Sequence, residues 1–375
     1  MLLPIQTMGD VSTKEPRLIR VLQAAAEHRK DLRLSAFSEA GILWASATGL
    51  GPLLFKTTNA DPEATTSPLW TLLQAANMTA RVIAAEQLDA MVEIIDACKT
   101  RVMPLVLLKG ISVCEQYYPE PHLRPMRDID FLVGIDDFPA VESSLFELGY
   151  RQKSNAPASF YEKHHHSMPF FHPRKGIWVE VHRGLFPPRS PLSRDRVFSL
   201  ENLKSQIQPS EFQGRRVGRL SDELQLVYIA SHWAQQFQTV GGMVAMLDVI
   251  YLWNNKGRNL DWEKLFRWSS GSIASAYLYV LLSYLDKYRL IDISQETLNT
   301  LFLQQWSLGK LNLKMVHSLV DRCYVDGRNY GRALSLRNYA LTWEALLSGQ
   351  SPLISLMLIP WKLVLPHRLK KRFVS

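Results

Sequence analysis

The run Pro104-Leu-Val-Leu-Leu108 constrains the fold more than any other segment of this 375-residue chain. It is apolar without alternation, with proline at one end and Lys109-Gly110 at the other, and so reads as a buried strand. Sequence with helical periodicity lies on both sides of it. In residues 1–100, Arg17–His28 places Leu18, Val21, Leu22 and Ala25 at i, i+3, i+4, i+7. Thr79–Cys98 sets Val82, Ala85, Leu88, Met91, Val92 and Ile95 on one stripe, and the turn-rich Thr57–Pro68 reads as an exposed loop.

Residues 101–190 have a different pattern. After the first strand come a short helix (111–118), a loop punctuated by Pro119, Pro121 and Pro125, and a second strand, Asp128–Val133. A helix over 136–148 stops at Gly149. Tyr161–Phe171 and Ile177–His182 read as two strands joined by the turn His172-Pro-Arg-Lys-Gly176. Beyond Pro187-Pro188 the pattern is helical to about residue 350, clearest over 221–237, 243–254, 261–268 and 272–288, with Ser221 and Asp261 as N-caps. The expected fold is α+β, a small mixed sheet flanked by N-terminal and C-terminal helical regions, with a basic apolar tail over 351–375.

Composition narrows the function. With 47% hydrophobic and 21% charged residues the chain is a folded globular protein of roughly two structural units. Cys98, Cys114 and Cys323 form no C-x-x-C pair, which excludes a disulfide scaffold and a cysteine zinc site and fits a reducing cytoplasm. Residues 1–10 lack a secretory pattern, and no apolar run reaches the roughly 18 residues of a membrane span. The net charge is +8, yet Lys362, Arg368, Lys370, Lys371 and Arg372 sit in the tail without an acid. The body therefore lacks a basic stripe interleaved with aromatics, which argues against nucleic acid as partner.

The segment that carries chemistry is Arg124-Pro-Met-Arg-Asp-Ile-Asp-Phe-Leu-Val133. Asp128 and Asp130, two apart on a strand, project from one face. Two neighbouring carboxylates repel, and a divalent cation resolves the conflict; Mg²⁺ favours one or two carboxylates plus phosphate oxygens. The alternative is a solvated pair at a strand entry. In Trp178-Val-Glu-Val-His182, Glu180 shares a face with Trp178 and His182, and an acid in an apolar strand needs a cation, a donor or an exposed edge. Leu108-Lys109-Gly110 runs from strand to helix, leaving backbone N–H groups and the Lys109 charge facing an anion.

In that order, Leu107-Leu-Lys-Gly110, Arg124-x-x-Arg-Asp-Ile-Asp130 and Val179-Glu-Val-His182 resemble the uncharacterised bacterial nucleotidyltransferase family, within the DNA polymerase β-type superfamily. The likeness covers roughly residues 15–350, with its motifs within 105–185. It implies a nucleotidyltransferase-type sheet and metal-dependent transfer of a nucleoside monophosphate from an NTP to a hydroxyl of a small molecule, sugar or protein. It implies that Asp128, Asp130 and Glu180 hold Mg²⁺ or Mn²⁺, two ions bridging the reaction. Lys109 and Gly110 stand where the superfamily has a Gly-Ser phosphate turn, a departure because Ser112 lies two residues further on. Arg124 and Arg127 would neutralise phosphate charge, with Arg127 alternatively pairing with an aspartate.

Histidines add candidates. In His164-His-His166 a strand would put only His164 and His166 on one face, which argues against zinc; His166 and His182 are instead candidates for the acceptor side. His232 and Asp248, on successive helices, close the cleft or pack the helices. The tail Leu353–Arg372 combines apolar residues with cations, so it either packs on the body or contacts an anionic membrane peripherally. The alternative to an enzyme is a catalytically silent nucleotide-binding member serving a partner. No P-loop, G-x-S-x-G or H-E-x-x-H motif is present.

Overall fold

A computed structural model describes residues 18–47, 49–99, 104–188, 190–236, 240–304 and 317. Four helices come first: α1 (Leu18–Ala26), α2 (Glu39–Ala47), α3 (Gly51–Thr57) and the 31-residue α4 (Pro68–Cys98). Then follow β1 (Val106–Leu107), α5 (Lys109–Gln116), β2 (Asp128–Leu132), α6 (Phe138–Glu147), β3 (Arg151–Gln152), α7 (Ala158–Glu162), β4 (Phe170–His172) and β5 (Ile177–His182). The rest is α8 (Leu200–Gln206), β6 (Ile207–Phe212), β7 (Arg215–Leu220), α9 (Asp222–Gln236), α10 (Val240–Lys256), α11 (Trp262–Ser269), α12 (Ile273–Lys287) and α13 (Gln295–Gln304).

The strands form one mixed sheet in the order β3-β4-β5-β2-β1-β7-β6, which bears out the α+β expectation. Strand alternation splits the core in two. Leu107, Ile129, Phe131, Val179 and Val181 pack with Ala90, Met91, Ile94 and Ile95 of α4 and with Val141 and Leu145 of α6. Val106, Leu108, Leu132 and Leu220 join a larger core built from α1–α3 and α9–α13. Each fully buried Ile, Val, Leu or Phe contributes about 1.5–3 kcal/mol. Register is therefore fixed, because a slip of one residue would turn the acids of β2 into the α4 layer.

Three expectations need correction. Residues 161–171 are not a strand. The end of α7 and a bend occupy most of the stretch, Phe170–His172 forms a ladder with β5, and a single bridge joins His166 to His182. A hairpin, β6–β7, lies where the sequence read as helical; β7 runs parallel to β1, so the sheet extends beyond residue 190. Helix α4 starts at Pro68, with the Ser67 hydroxyl accepting from the Leu69 N–H. Its buried face runs through Ala84, Gln87, Met91, Ile94 and Cys98, while Val82 and Ala85 of the expected stripe are exposed. Thr57–Pro68 is a turn-rich and mostly exposed connection, anchored where buried Asp61 accepts the Leu34 N–H at 2.7 Å. The β4–β5 hairpin and the Ser221 and Asp261 caps are as expected. Cys98 and Cys114 are buried and unbridged. Cys323 and the tail lie outside the described residues, among which no helix is long and apolar enough to cross a membrane.

The β6–β7 turn consists of Gln213 (φ +47°) and Gly214 (φ +76°), two left-handed residues as a type I′ hairpin requires. A Cβ on Gly214 would meet nothing within 4 Å, so substitution there costs backbone energy alone. Gly214→Ala is expected to lower stability by about 1 kcal/mol, read as a shift in urea midpoint; an unchanged midpoint would contradict this account of the turn.

Candidate active site

The acids converge because β2 and β5 are neighbours and parallel. Their register sets Asp128 beside Trp178, Asp130 beside Glu180 and Leu132 beside His182. With Ile129, Phe131, Val179 and Val181 in the α4 layer, Asp128, Asp130, Glu180 and His182 lie on the opposite face. One ligand atom each of Asp130, Glu180 and His182 lies within 4.8 Å of the others. Asp128 stands outside that trio, one step down β2, close enough for the charge of Asp130 to dominate its titration.

Lys109 closes the group. It is the first residue of α5 and adopts φ +44°, a left-handed conformation that a side-chain-bearing residue rarely takes and that clusters at functional sites. The Leu108 N–H donates to the Asp130 carbonyl at 3.0 Å, fixing the junction beside β2. From there the Lys109 ammonium donates to Asp130 Oδ1 at 2.8 Å. His182 Nε2 lies 2.8 Å from the same oxygen and 3.7 Å from Glu180 Oε2, while its Nδ1 lies 3.3 Å from the Gly184 carbonyl.

The titration pattern follows from these distances. Burial would raise the Asp130 carboxyl, but Lys109 and His182 outweigh it and hold Asp130 far below the usual carboxylate range. Burial opposes the charge of Lys109, and Asp130 more than offsets that and raises it. Burial likewise disfavours charged His182, and after Lys109's opposition its hydrogen bonds to Asp130 and Glu180 leave it raised. Glu180 is lowered, its burial outweighed by His182. Asp128 is the exception: the Asp130 charge, then burial, push it up to about 7. The group therefore holds two ionised acids, Asp130 and Glu180, one acid poised near neutrality, and a lysine and a histidine whose charged forms these acids favour. Asp130, Glu180 and His182 offer two oxygens and an imidazole at a spacing that suits a divalent ion, with Asp128 adjacent.

The other sequence candidates separate. Arg127 is exposed and lines the cleft beside Asp128, with no ion pair among the described residues. The fork of Arg124 is taken by Asp248, at 3.0 and 2.8 Å, and Asp248 also accepts from Tyr118 at 2.6 Å. Gly110 makes room for this pair: a Cβ there would stand 2.5 Å from Arg124 Nη1 and 2.8 Å from Met126 Cγ. His166 reaches Glu180, Nε2 to Oε2 at 3.8 Å. The ring atoms of His164, His165 and His166 gather within 4.8 Å, against the expectation that only two share a face, because the segment is a bend and not a strand. Burial pushes His164 down to about 4 and His165 down to about 2.

A cleft of about 620 Å³ is lined by Lys109, Arg127, Asp128 and Asp130 and closed by α9 and α10. Sequence reasoning placed His232 and Asp248 near the cleft, and both line it, but it missed Gln225 and Tyr228. Among the described residues both amide atoms of Gln225, the Tyr228 hydroxyl and His232 Nε2 are buried without a hydrogen-bond partner. Buried polar groups are normally satisfied, so a row of unmet ones facing a cleft marks a ligand wall. Its signal was legible: Gln225, Tyr228 and His232, at i, i+3 and i+7, interrupt Leu224–Ala234, where Ser231 is the one other polar residue. Burial pushes His232 down to about 3, so it faces the cleft as a neutral ring.

No curated protein and no solved structure matches the chain. The family model described as an uncharacterised nucleotidyltransferase matches residues 39–287, from the first residue of α2 to the last of α12, with all seven strands and the cleft between. The chain belongs to that nucleotidyltransferase family and is a transferase of nucleotidyl groups.

Proposed function

We propose that the cleft binds an NTP with Mg²⁺ or Mn²⁺ and moves its nucleoside monophosphate to a hydroxyl of a small molecule, sugar or protein. The observation that carries this reading is the pairing of Asp130 with Glu180 on adjacent parallel strands, beside a cationic strand-to-helix junction. Asp130, Glu180 and His182 would hold the cation, with Asp128 completing the acidic set. A bound divalent ion supplies charge to offset the triphosphate and the departing pyrophosphate. Lys109 and the exposed Arg127 then grip phosphate oxygens. Asp128, next to the residues that would hold the cation, accepts the proton of the acceptor hydroxyl. Arg124 acts at one remove, bracing α10 against the cleft floor through Asp248. His166 faces the acceptor from beside Glu180.

The unmet amide of Gln225 is expected to read the nucleotide. Gln225→Leu should raise the KM for the NTP roughly tenfold, the worth of one buried hydrogen bond, with kcat changed less. Steady-state kinetics across the four NTPs reads this, and an unchanged KM for all four would contradict it.

One observation favours a second reading: Lys109 and His182 already neutralise Asp130, as in a silent member that binds nucleotide without turnover. Incubation with labelled NTPs, Mg²⁺ or Mn²⁺ and an acceptor panel separates the two. Pyrophosphate release that Asp130→Asn abolishes supports the enzyme. Metal-dependent binding without release across the panel supports the silent member.

A further inference from the structure

We propose that His164, His165 and His166 form a second metal site, selective for a transition ion such as Zn²⁺ and distinct from the acidic group that would take Mg²⁺. The trio follows α7, and its backbone is pinned to the end of β5. Ser167 N–H donates to the Val181 carbonyl at 2.8 Å, and Arg183 and Gly184 N–H groups donate to the His165 carbonyl at 2.8 and 3.2 Å. A bridge pairs His166 with His182. Three consecutive rings are thereby held together, with centroids 4.3, 4.3 and 4.7 Å apart.

The donor atoms point to a ligand. One nitrogen from each ring lies within 4.8 Å of the other two. Ligands about 2.1 Å from a tetrahedral ion stand about 3.4 Å apart, so closure needs shifts of little more than an ångström. His166 Nδ1 lies 2.6 Å from the Ser167 carbonyl, an oxygen that can only accept, so the proton is on Nδ1 and the Nε2 lone pair is left open. Metal-binding histidines are commonly held by such a bond from the other ring nitrogen to a backbone carbonyl. His164 Nδ1 and His165 Nδ1 are buried and, among the described residues, have no hydrogen-bond partner.

The chemistry selects the ion. Three imidazoles without a carboxylate of their own suit Zn²⁺, Co²⁺ or Ni²⁺ and not Mg²⁺, which demands oxygen. Three protein ligands leave a fourth position open, as in catalytic zinc sites. Glu180 Oε2, 3.8 Å from His166 Nε2, supplies the negative charge next to the site and places it on the acceptor side. Arg183, whose charge also reaches the trio, turns its fork to the carbonyls of Tyr161 and Glu162 at 3.2 and 3.1 Å.

The test uses the full chain stripped of metal by a chelator, with Zn²⁺ and Co²⁺ as probes in excess Mg²⁺. Asp130→Asn serves as background, to isolate this site from the acidic group. In it, calorimetry is expected to show one Zn²⁺ per chain, and Co²⁺ to give the absorption of a nitrogen-ligated ion. Adding His164→Ala and His165→Ala should weaken Zn²⁺ binding by more than about 100-fold, beyond the loss expected for an outer partner alone. Zn²⁺ affinity unchanged by the two alanines, or abolished by Asp130→Asn, would overturn the proposal. Should the double alanine variant fail to fold, imidazole nitrogen shifts in the unmutated chain decide. Zn²⁺ must move those of His164, His165 and His166, and unmoved shifts refute the site.

Discussion

Asp130→Asn is expected to cut nucleotidyl transfer by at least about 10³-fold, as for loss of a group that stabilises charge in a dry site. The same change should destabilise the metal-free protein by about 3 kcal/mol. Both effects have one origin. Asp130 is 2% exposed and its Oδ1 is shared by Lys109 and His182, so an amide leaves two adjacent cations with no anion between them. Glu180→Gln is the internal control. Glu180 stands 3.7 Å from His182 and is more exposed, so its loss should damage activity with a smaller change in stability. Urea denaturation at pH 7 without metal, paired with pyrophosphate release, measures both. Turnover within a few-fold of the natural chain after Asp130→Asn would remove the acidic group from the chemistry.

Asp128 gives the second large effect, through pH. Its carboxyl is pushed up to about 7, against about 3.9 for a free aspartate. Between those values the unfolded chain has lost the proton and the folded chain keeps it, so folding binds protons and stability falls as pH rises. The contribution is fully present below about pH 4 and gone above about pH 7, up to about 4 kcal/mol at 1.36 per pH unit. Raised His182 works in the same direction, while Asp130, lowered, contributes above pH 4 and is lost only in stronger acid. The lowered histidines His164, His165 and His232 act the other way below about pH 6.5, so the difference between the natural chain and Asp128→Asn isolates the carboxyl. Relative to the natural chain, Asp128→Asn should gain metal-free stability as pH rises from 5 to 8. Under the proposed mechanism the same carboxyl accepts a proton, so transfer should rise with pH along a limb that vanishes in Asp128→Asn. A stability difference between the two chains that stays constant from pH 5 to pH 8 would contradict the poised acid.

How much of this was legible depended on whether a local rule decided the outcome. The face of β2 and β5 followed from strict alternation, and the pairing of Asp130 with Glu180 then required only that the two strands be neighbours. Order along the chain suggested it, and Ile129, Phe131, Val179 and Val181 enforce it by filling the α4 layer. The β6–β7 hairpin was hidden because β6 is an edge strand. Gln208, Pro209, Ser210 and Glu211 belong to a solvated edge and carry no apolar alternation, leaving the Gln213-Gly214 turn as the one local cue. The aromatic-rich 161–171 failed in the opposite way, since the rings of Tyr161, His164 and His166 pack on one another and only its last two residues join the ladder with β5. Ser67-Pro68 was an N-cap followed by proline at N1, a start signal outweighed by the expectation that the apolar stripe begins later.

The site was legible in its acids and less so in its cations. Nothing local could show that Asp248, 124 residues away, takes the fork of Arg124. The shared grip of Lys109 and His182 on Asp130 likewise depends on the tertiary meeting of α5, β2 and β5.

The most direct test is a crystal structure of the full chain with a non-hydrolysable NTP and Mn²⁺. An anomalous peak bonded to Asp130 and Glu180, with Lys109 Nζ moved from Asp130 to a phosphate oxygen and the base against Gln225, is the predicted result. Nucleotide bound elsewhere, or bound in the cleft with Lys109 still on Asp130 and no Mn²⁺ at either acid, would contradict the account.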